Sequence, residues 1–314
     1  MAQIEPFGSL PDGRRVDAIM LRSDAIAARI LTYGARLTDL RVDEGPSVTV
    51  GSEDLADYGP GASLEFCGPV IGPVLNRISG AQANLDGERL TFEANVEGRL
   101  SLHSGSAGTH RAIWNISEVG PSAVTLFVEL PHGEGGFPGN RRIGVTYRLG
   151  PGPSISIGIW ARTDRPTVLN VGHHPYWNLD GTDSWKGHRL TVHASHYLPV
   201  DADFAATGEI ELVEGTEYDL REGALLGTLI DNNYCLDARA SVLIPAAELI
   251  GSSGRGLRLA TSAPGLQVFT GQPYGVALEP QMWPNAPSHK RFPSIVIREF
   301  DCFRQDTRIA FFVI

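Results

Sequence analysis

The chain has 314 residues, 42% hydrophobic and 20% charged, which excludes disordered and collagen-like classes and is long enough to bury a large core. Its 26 basic and 36 acidic residues leave a formal charge of −10, and no Lys/Arg cluster tracks a phosphate backbone, so no nucleic acid partner is expected. Cys67, Cys235 and Cys302 lie far apart with no C-x-x-C spacing and read as reduced thiols. The opening MAQIEPFGSLPDGRR lacks the basic start and apolar run of a signal peptide, and no stretch approaches about 18 apolar residues. A cytoplasmic protein with no membrane partner is the expectation.

In chain order, residues 17–42 (DAIMLRSDAIAARILTYGARLTDLRV) read as strands, SEDLADYG at 52–59 as a short helix, and RLTFEANV at 89–96 as a strand. SAVTLFVEL (122–130), RRIGVTYRLG (141–150), SISIGIWART (154–163) and HRLTVHASHYLPV (188–200) continue the β pattern. AAELI at 246–250 reads as a second short helix, and RIAFFVI at 308–314 as a closing strand. The 36 glycines and 21 prolines are spread throughout, and Asp12-Gly13, Asp86-Gly87 and Asp180-Gly181 fall between apolar runs as turns. With no linker and no internal repeat, the prediction is one antiparallel all-β domain over 1–314, built as a long curved sandwich with few short helices.

Four segments gather titratable groups in strand-like surroundings: GPVIGPVLNRISG (68–80), GRLSLHSGSAG (98–108), NVGHHPYWNL (170–179) and GVALEPQMWPNAPSH (275–289). Because alternate side chains of a strand face opposite ways, Leu100 and Leu102 should share the core face and Ser101 and His103 the other. Likewise Val276 and Leu278 should oppose Glu279 and Gln281. Pro175 biases His174 toward extended backbone, so His173 groups with Trp177 and Leu179, and His174 with Tyr176 and Asn178. The apolar set takes the core, leaving His174 at a cleft and His173 as a supporting group. A partly buried Glu279, with its pKa raised by desolvation, and an imidazole facing it would form a general base and general acid pair. Tyr176 and Trp283 would suit the apolar faces of a sugar ring, or simply fill the core.

These residues carry a resemblance. From PFGSLPDGRRV and LTYGARLTDLRV through LADYGPG, NRISG, LDGERLTF, LHSG, GHHPYWNL, PGLQVFTG and ALEPQMWPNAPSH, the chain resembles the aldose 1-epimerase (galactose mutarotase) family nearly end to end. The resemblance implies a galactose mutarotase-like β-supersandwich and cofactor-free interconversion of the α and β anomers of a free aldose. It implies Glu279 as the base on the anomeric hydroxyl and His174 as the acid on the ring oxygen, with Asn76, Arg77, His103, Asp231 and Gln267 as substrate-binding residues. The partner is then a small sugar, met by a monomer or homodimer. No dinucleotide fingerprint, P-loop or H-E-x-x-H motif is present.

The chain departs from the family pattern at Pro73 (usually Arg), Ser104 (usually Gly), Asn232 (usually His), Gly172-His173 (usually Asn/Thr-rich) and Trp177 (more often Phe), which puts hydroxyl selectivity in doubt and leaves pentoses and hexoses both open. Three other readings stand beside this one. A sugar-binding or sensor protein would need no catalytic pair. A metal enzyme would use His103, His173 or His174 as ligands, although adjacent strand histidines point apart. A hexose-phosphate epimerase would want extra Arg or Lys around the cleft to meet a dianion, for which Arg77, Arg99 and Arg111 are the candidates, although no cluster is tied to the motifs.

Overall fold

The computed structural model describes residues 3–237 and 242–314. Three antiparallel sheets make up most of it. The first pairs Gln3–Ser9, Arg15–Arg22, Ile26–Leu31 and Arg36–Val42 in chain order. The second has nine strands, in which the C-terminal Phe303–Val313 lies between Ser154–Thr163 and Arg255–Thr261. The third has six, running Tyr176–Trp177, Val276–Gln281, Gly265–Phe269, Asp231–Cys235, His196–Leu198 and Glu211–Leu212. Side chains from all three meet in one core, among them Ile19 and Leu37, Val145 and Ile157, and Val268 and Leu278. The all-β reading holds, and the helices among the described residues are single 3₁₀ turns of three or four residues.

Local sequence explains most of these elements. At Asp86-Gly87 both residues have positive φ (50° and 90°), which suits the two-residue hairpin that closes Leu85 onto Glu88. The helical reading of 52–59 shrinks to a 3₁₀ turn, Leu55–Tyr58, capped by the Asp54 carboxylate accepting from the Ala56 amide at 2.9 Å. The helical reading of AAELI is wrong: it lies in the strand Ile244–Ile250. A register shift between Pro245 and Ala247 turns both Ala246 and Ala247 inward, and that bulge breaks the period-2 pattern that would have marked a strand. The run 188–200 is two strands, Arg189–Val192 and His196–Leu198, which join different sheets.

One glycine ties the first sheet to the segment bearing the paired histidines. The carbonyl of Gly68 accepts from the Leu37 amide at 2.9 Å and from His173 Nε2 at 3.0 Å, while its own amide donates to the His174 carbonyl at 2.8 Å. Its φ is +79°, and an added Cβ would sit 2.0 Å from the Leu37 carbonyl oxygen, a backbone atom that cannot swing aside. Combining left-handed strain with that overlap, Gly68→Ala is expected to lose on the order of 3 kcal/mol. Urea denaturation checks this, and a loss below about 0.5 kcal/mol would contradict so tight a junction.

Candidate active site

Strand alternation on the six-stranded sheet builds the cleft floor. In Val276–Gln281, Val276 and Leu278 enter the core while Glu279 faces the other way, across from Gln267 on the neighbouring strand. Asp231 lies one strand further along the same face, and its two oxygens accept from Gln267 Nε2 at 2.7 Å and Arg77 Nη2 at 3.1 Å. Tyr176, on the edge strand beside Val276–Gln281, stacks on His174 with ring centroids 5.3 Å apart.

Two turns carry the remaining polar wall. The strand Leu100–Leu102 stops short of His103, which has a φ of +53°; Asn76 has +70°. His103 Nδ1 accepts from the Asn76 amide at 3.2 Å, so its proton sits on Nε2. The expected pairing of Ser101 with His103 therefore fails: Leu102 shares the cleft with His103, and Ser101 is buried elsewhere. Ser104, also left-handed, accepts from the Val74 amide at 2.9 Å and donates to the Val74 carbonyl at 3.0 Å, clamping one turn to the other.

All eight candidates from the sequence, Glu279, His174, Asn76, Arg77, His103, Tyr176, Asp231 and Gln267, line this one cleft. Phe66, Leu102, Phe269 and Gln272 join them. Phe269 was findable, since it lies two residues from Gln267 on the same strand face; Phe66 and Gln272 carried no signal. Trp283 does not contribute: its indole N–H donates to the Pro264 carbonyl at 2.8 Å and its ring packs edge-on against Phe292. Of the departures, Asn232 bonds the Leu198 carbonyl and His173 and Trp177 face the core, so none of the three lines the cleft.

Glu279 and His174 are both almost fully buried, with His174 Nε2 3.4 Å from Glu279 Oε1. Burial raises the Glu279 pKa well above the usual carboxylate range, the Asp231 charge adds to this, and Arg77 opposes it. Burial also lowers the His174 pKa. Both shifts favour uncharged partners, so the 3.4 Å contact is a close approach of two neutral groups rather than an ion pair. Glu279 Oε2 and His174 Nδ1 have no protein partner. The cleft thus brings together a carboxyl, an imidazole and a set of fixed donors, a combination suited to moving two protons at a neutral polyhydroxylated ligand.

Comparison with known proteins bears on family and fold. The family described as aldose 1-epimerase matches residues 17–309. The galactose mutarotases of Mus musculus and Homo sapiens are each 32% identical over 98% of this chain and 97% of their own. The aldose 1-epimerase of Escherichia coli K12 is 29% identical over 93% of this chain and 92% of its own. The solved structure of a GalM/aldose epimerase homologue from C. elegans superimposes with a TM-score of 0.87 at 26% identity, covering 95% of this chain and 99% of that one.

His173 behaves differently from its neighbour. Its Nε2–H donates to the Gly68 carbonyl, its ring meets Tyr147 edge-on at 5.7 Å, and burial lowers its pKa to about 3. Between that value and 6.5 the unfolded chain binds a proton here that the folded chain refuses. The stabilisation is therefore complete above pH 6.5 and is lost as pH falls toward 3. His173→Asn is expected to cost about 1–3 kcal/mol at pH 7. It should also remove up to about 1.36 kcal/mol per pH unit from the slope of stability against pH inside that window. Parallel denaturation curves of both proteins at pH 4.5 and 7 measure the change; an unaltered slope would mean that this imidazole is not held neutral.

Proposed function

Because the chain belongs to the aldose 1-epimerase family and interconverts the α and β anomers of a sugar, we propose that the reaction runs between Glu279 and His174 on a neutral free aldose. The observation that carries this is the 3.4 Å approach of Glu279 Oε1 to His174 Nε2 at the floor of a cleft lined with hydroxyl-binding groups. With the pair as carboxylate and imidazolium, Glu279 takes the proton from the anomeric hydroxyl while His174 gives one to the ring oxygen. The C1–O5 bond breaks, leaving an open-chain aldehyde. Rotation about C1–C2 presents the other carbonyl face, and reclosure with the two protons returned inverts C1. Asp231, Gln267, Asn76 and the His103 Nε2–H orient the hydroxyls.

A neutral sugar fits better than a phosphorylated one. Arg77 is the one Arg or Lys among the described residues of the cleft wall, and Asp231 already holds it. Arg99 pairs with Glu97 and Asp203, and Arg111 with Glu65, so each arginine that left the phosphate reading open has its own carboxylate. Nor do the adjacent histidines suit a shared metal ion, since His173 points into the core while His174 faces the cleft.

Glu279→Gln keeps shape but cannot accept a proton, and is expected to lose roughly 10²–10⁴ fold in anomerisation. A coupled dehydrogenase assay specific for one anomer reads this directly, and wild-type turnover in the variant would remove Glu279 from the mechanism. His174→Asn is expected to fall by a similar factor, while His173→Asn should retain most of its rate; the opposite outcome would shift the acid by one residue. The pH profile of kcat/KM should be a bell whose limbs belong to the coupled pair. Polarimetry over free pentoses, free hexoses and hexose 6-phosphates tests the substrate class, with a preference for phosphates counting against it.

A further inference from the structure

Between His196–Leu198 and Glu211–Leu212 the chain makes a small loop that holds Phe204 in an unusual state. Phe204 is 42% exposed, and its φ of +56° is one that a residue with a Cβ rarely adopts. The loop enforces it. Asp201 Oδ1 accepts from the amides of Asp203 (2.9 Å) and Ala205 (3.0 Å), the Phe204 amide donates to the Asp201 carbonyl at 3.0 Å, and the Asp201 amide donates to the Ala205 carbonyl at 2.9 Å. From outside, Arg99 Nη2 holds Asp203 Oδ1 at 2.7 Å. An aromatic side chain in a strained, fixed and solvent-facing position gains little from burial, and strain of this kind concentrates at ligand clamps.

What the ring does touch is informative. The Arg77 guanidinium carbon lies 5.6 Å from its centroid, and Arg77 in turn donates to Asp231 inside the cleft. The contacts thus run from Phe204 to Arg77 to Asp231, and the last two line the cleft that holds Glu279 and His174, with Phe204 just outside that lining. Resting on the aldose reading above, we propose that Phe204 is a substrate-facing rim residue. Part of its face covers Arg77, and the rest offers an apolar surface to the C–H side of a pyranose whose hydroxyls Arg77 and Asp231 hold. A neutral sugar needs both kinds of contact, because its ring carbons present C–H groups between the hydroxyls, and an aromatic face meets them without competing for hydrogen bonds. Covering Arg77 on one side also keeps water from it, so that its donors stay directed at Asp231 and the ligand. The rim is set for binding rather than for proton transfer, since Phe204 lies beyond the reacting pair.

The test is steady-state kinetics and thermal melting of Phe204→Gly, Phe204→Leu and Phe204→Tyr on whichever free aldose the wild type anomerises. Phe204→Gly is expected to raise KM roughly 3- to 10-fold with kcat within about twofold, as loss of one aromatic contact implies. Its Tm should hold or rise, because glycine adopts this φ freely. Phe204→Tyr should keep the wild-type KM, and Phe204→Leu should not. A wild-type KM in Phe204→Gly, or a KM in Phe204→Leu equal to that in Phe204→Tyr, overturns the proposal while leaving Glu279 and His174 in place. A wild type that anomerises no free aldose would instead refute the functional reading beneath it.

Discussion

Everything at the cleft depends on which way the residues from Gly172 to Asn178 point. Alternation sends His173, Trp177 and Leu179 one way and His174, Tyr176 and Asn178 the other, and a slip of one residue would exchange the sets. Trp177 and Leu179 are fully buried in the shared core, so exchanging them for His174 and Tyr176 would forfeit several kcal/mol of apolar burial. Gly68 adds the local lock, since its amide and carbonyl bind the backbone of His174 and the ring of His173. The hydrophobic effect thus sets the orientation of a polar group that contributes nothing to the core.

The same burial shapes the proton chemistry. Burial favours neutral Glu279 and neutral His174, which together hold one fewer charge separation than the carboxylate–imidazolium form needed to open a ring. On the proposed assignment, ring opening moves one proton to Glu279 and one away from His174, and so ends in the uncharged arrangement that burial prefers. Closure then restores the charged form as the hemiacetal returns. The Arg77–Asp231 pair adjusts this balance from the side: Asp231 works against a charged Glu279 and Arg77 for it. A carboxylate and guanidinium that neutralise each other can orient hydroxyls without driving the reacting pair wholly into either state.

Much of this was legible in the sequence because the folding rule involved is short-range. Val276, Leu278 and Glu279 on one strand, and His173, His174 and Trp177 along an extended run that crosses two short strands, Gly172–His173 and Tyr176–Trp177, separate by alternation alone. Where alternation stops, the reading stops with it. His103 follows a strand that ends at Leu102, and its left-handed backbone places it by turn geometry that no periodicity reports. The bulge at Ala246 disguised a strand as a helix for a related reason. Phe66 was invisible because its place against His103, 4.8 Å away, and His174 arises from the fully buried Arg36. That guanidinium donates to the carbonyls of Leu64, Glu65 and Cys67, a long-range bond set with no local signature.

The cleft is therefore of two kinds of construction. The sheet supplies Glu279, Gln267 and Asp231 at spacings fixed by the strand ladder, and these positions cannot move without disturbing the core behind them. The turns supply Asn76 and His103, and aim Arg77 at the head of the strand Arg77–Ser79, through left-handed residues whose strain is offset by specific bonds: the Asn76 amide to His103 Nδ1, the Asn76 side chain accepting from the Arg77 amide, and the Ser104 clamp on Val74. Ser104 shows the logic most directly. Glycine would adopt its φ of +64° at no steric cost, yet serine gains two bonds that join the His103 turn to the Asn76 turn, so the clamp takes over the task of holding both. A wall built this way is rigid before any ligand arrives, and its donors need not reorganise when charge shifts between the anomeric and ring oxygens.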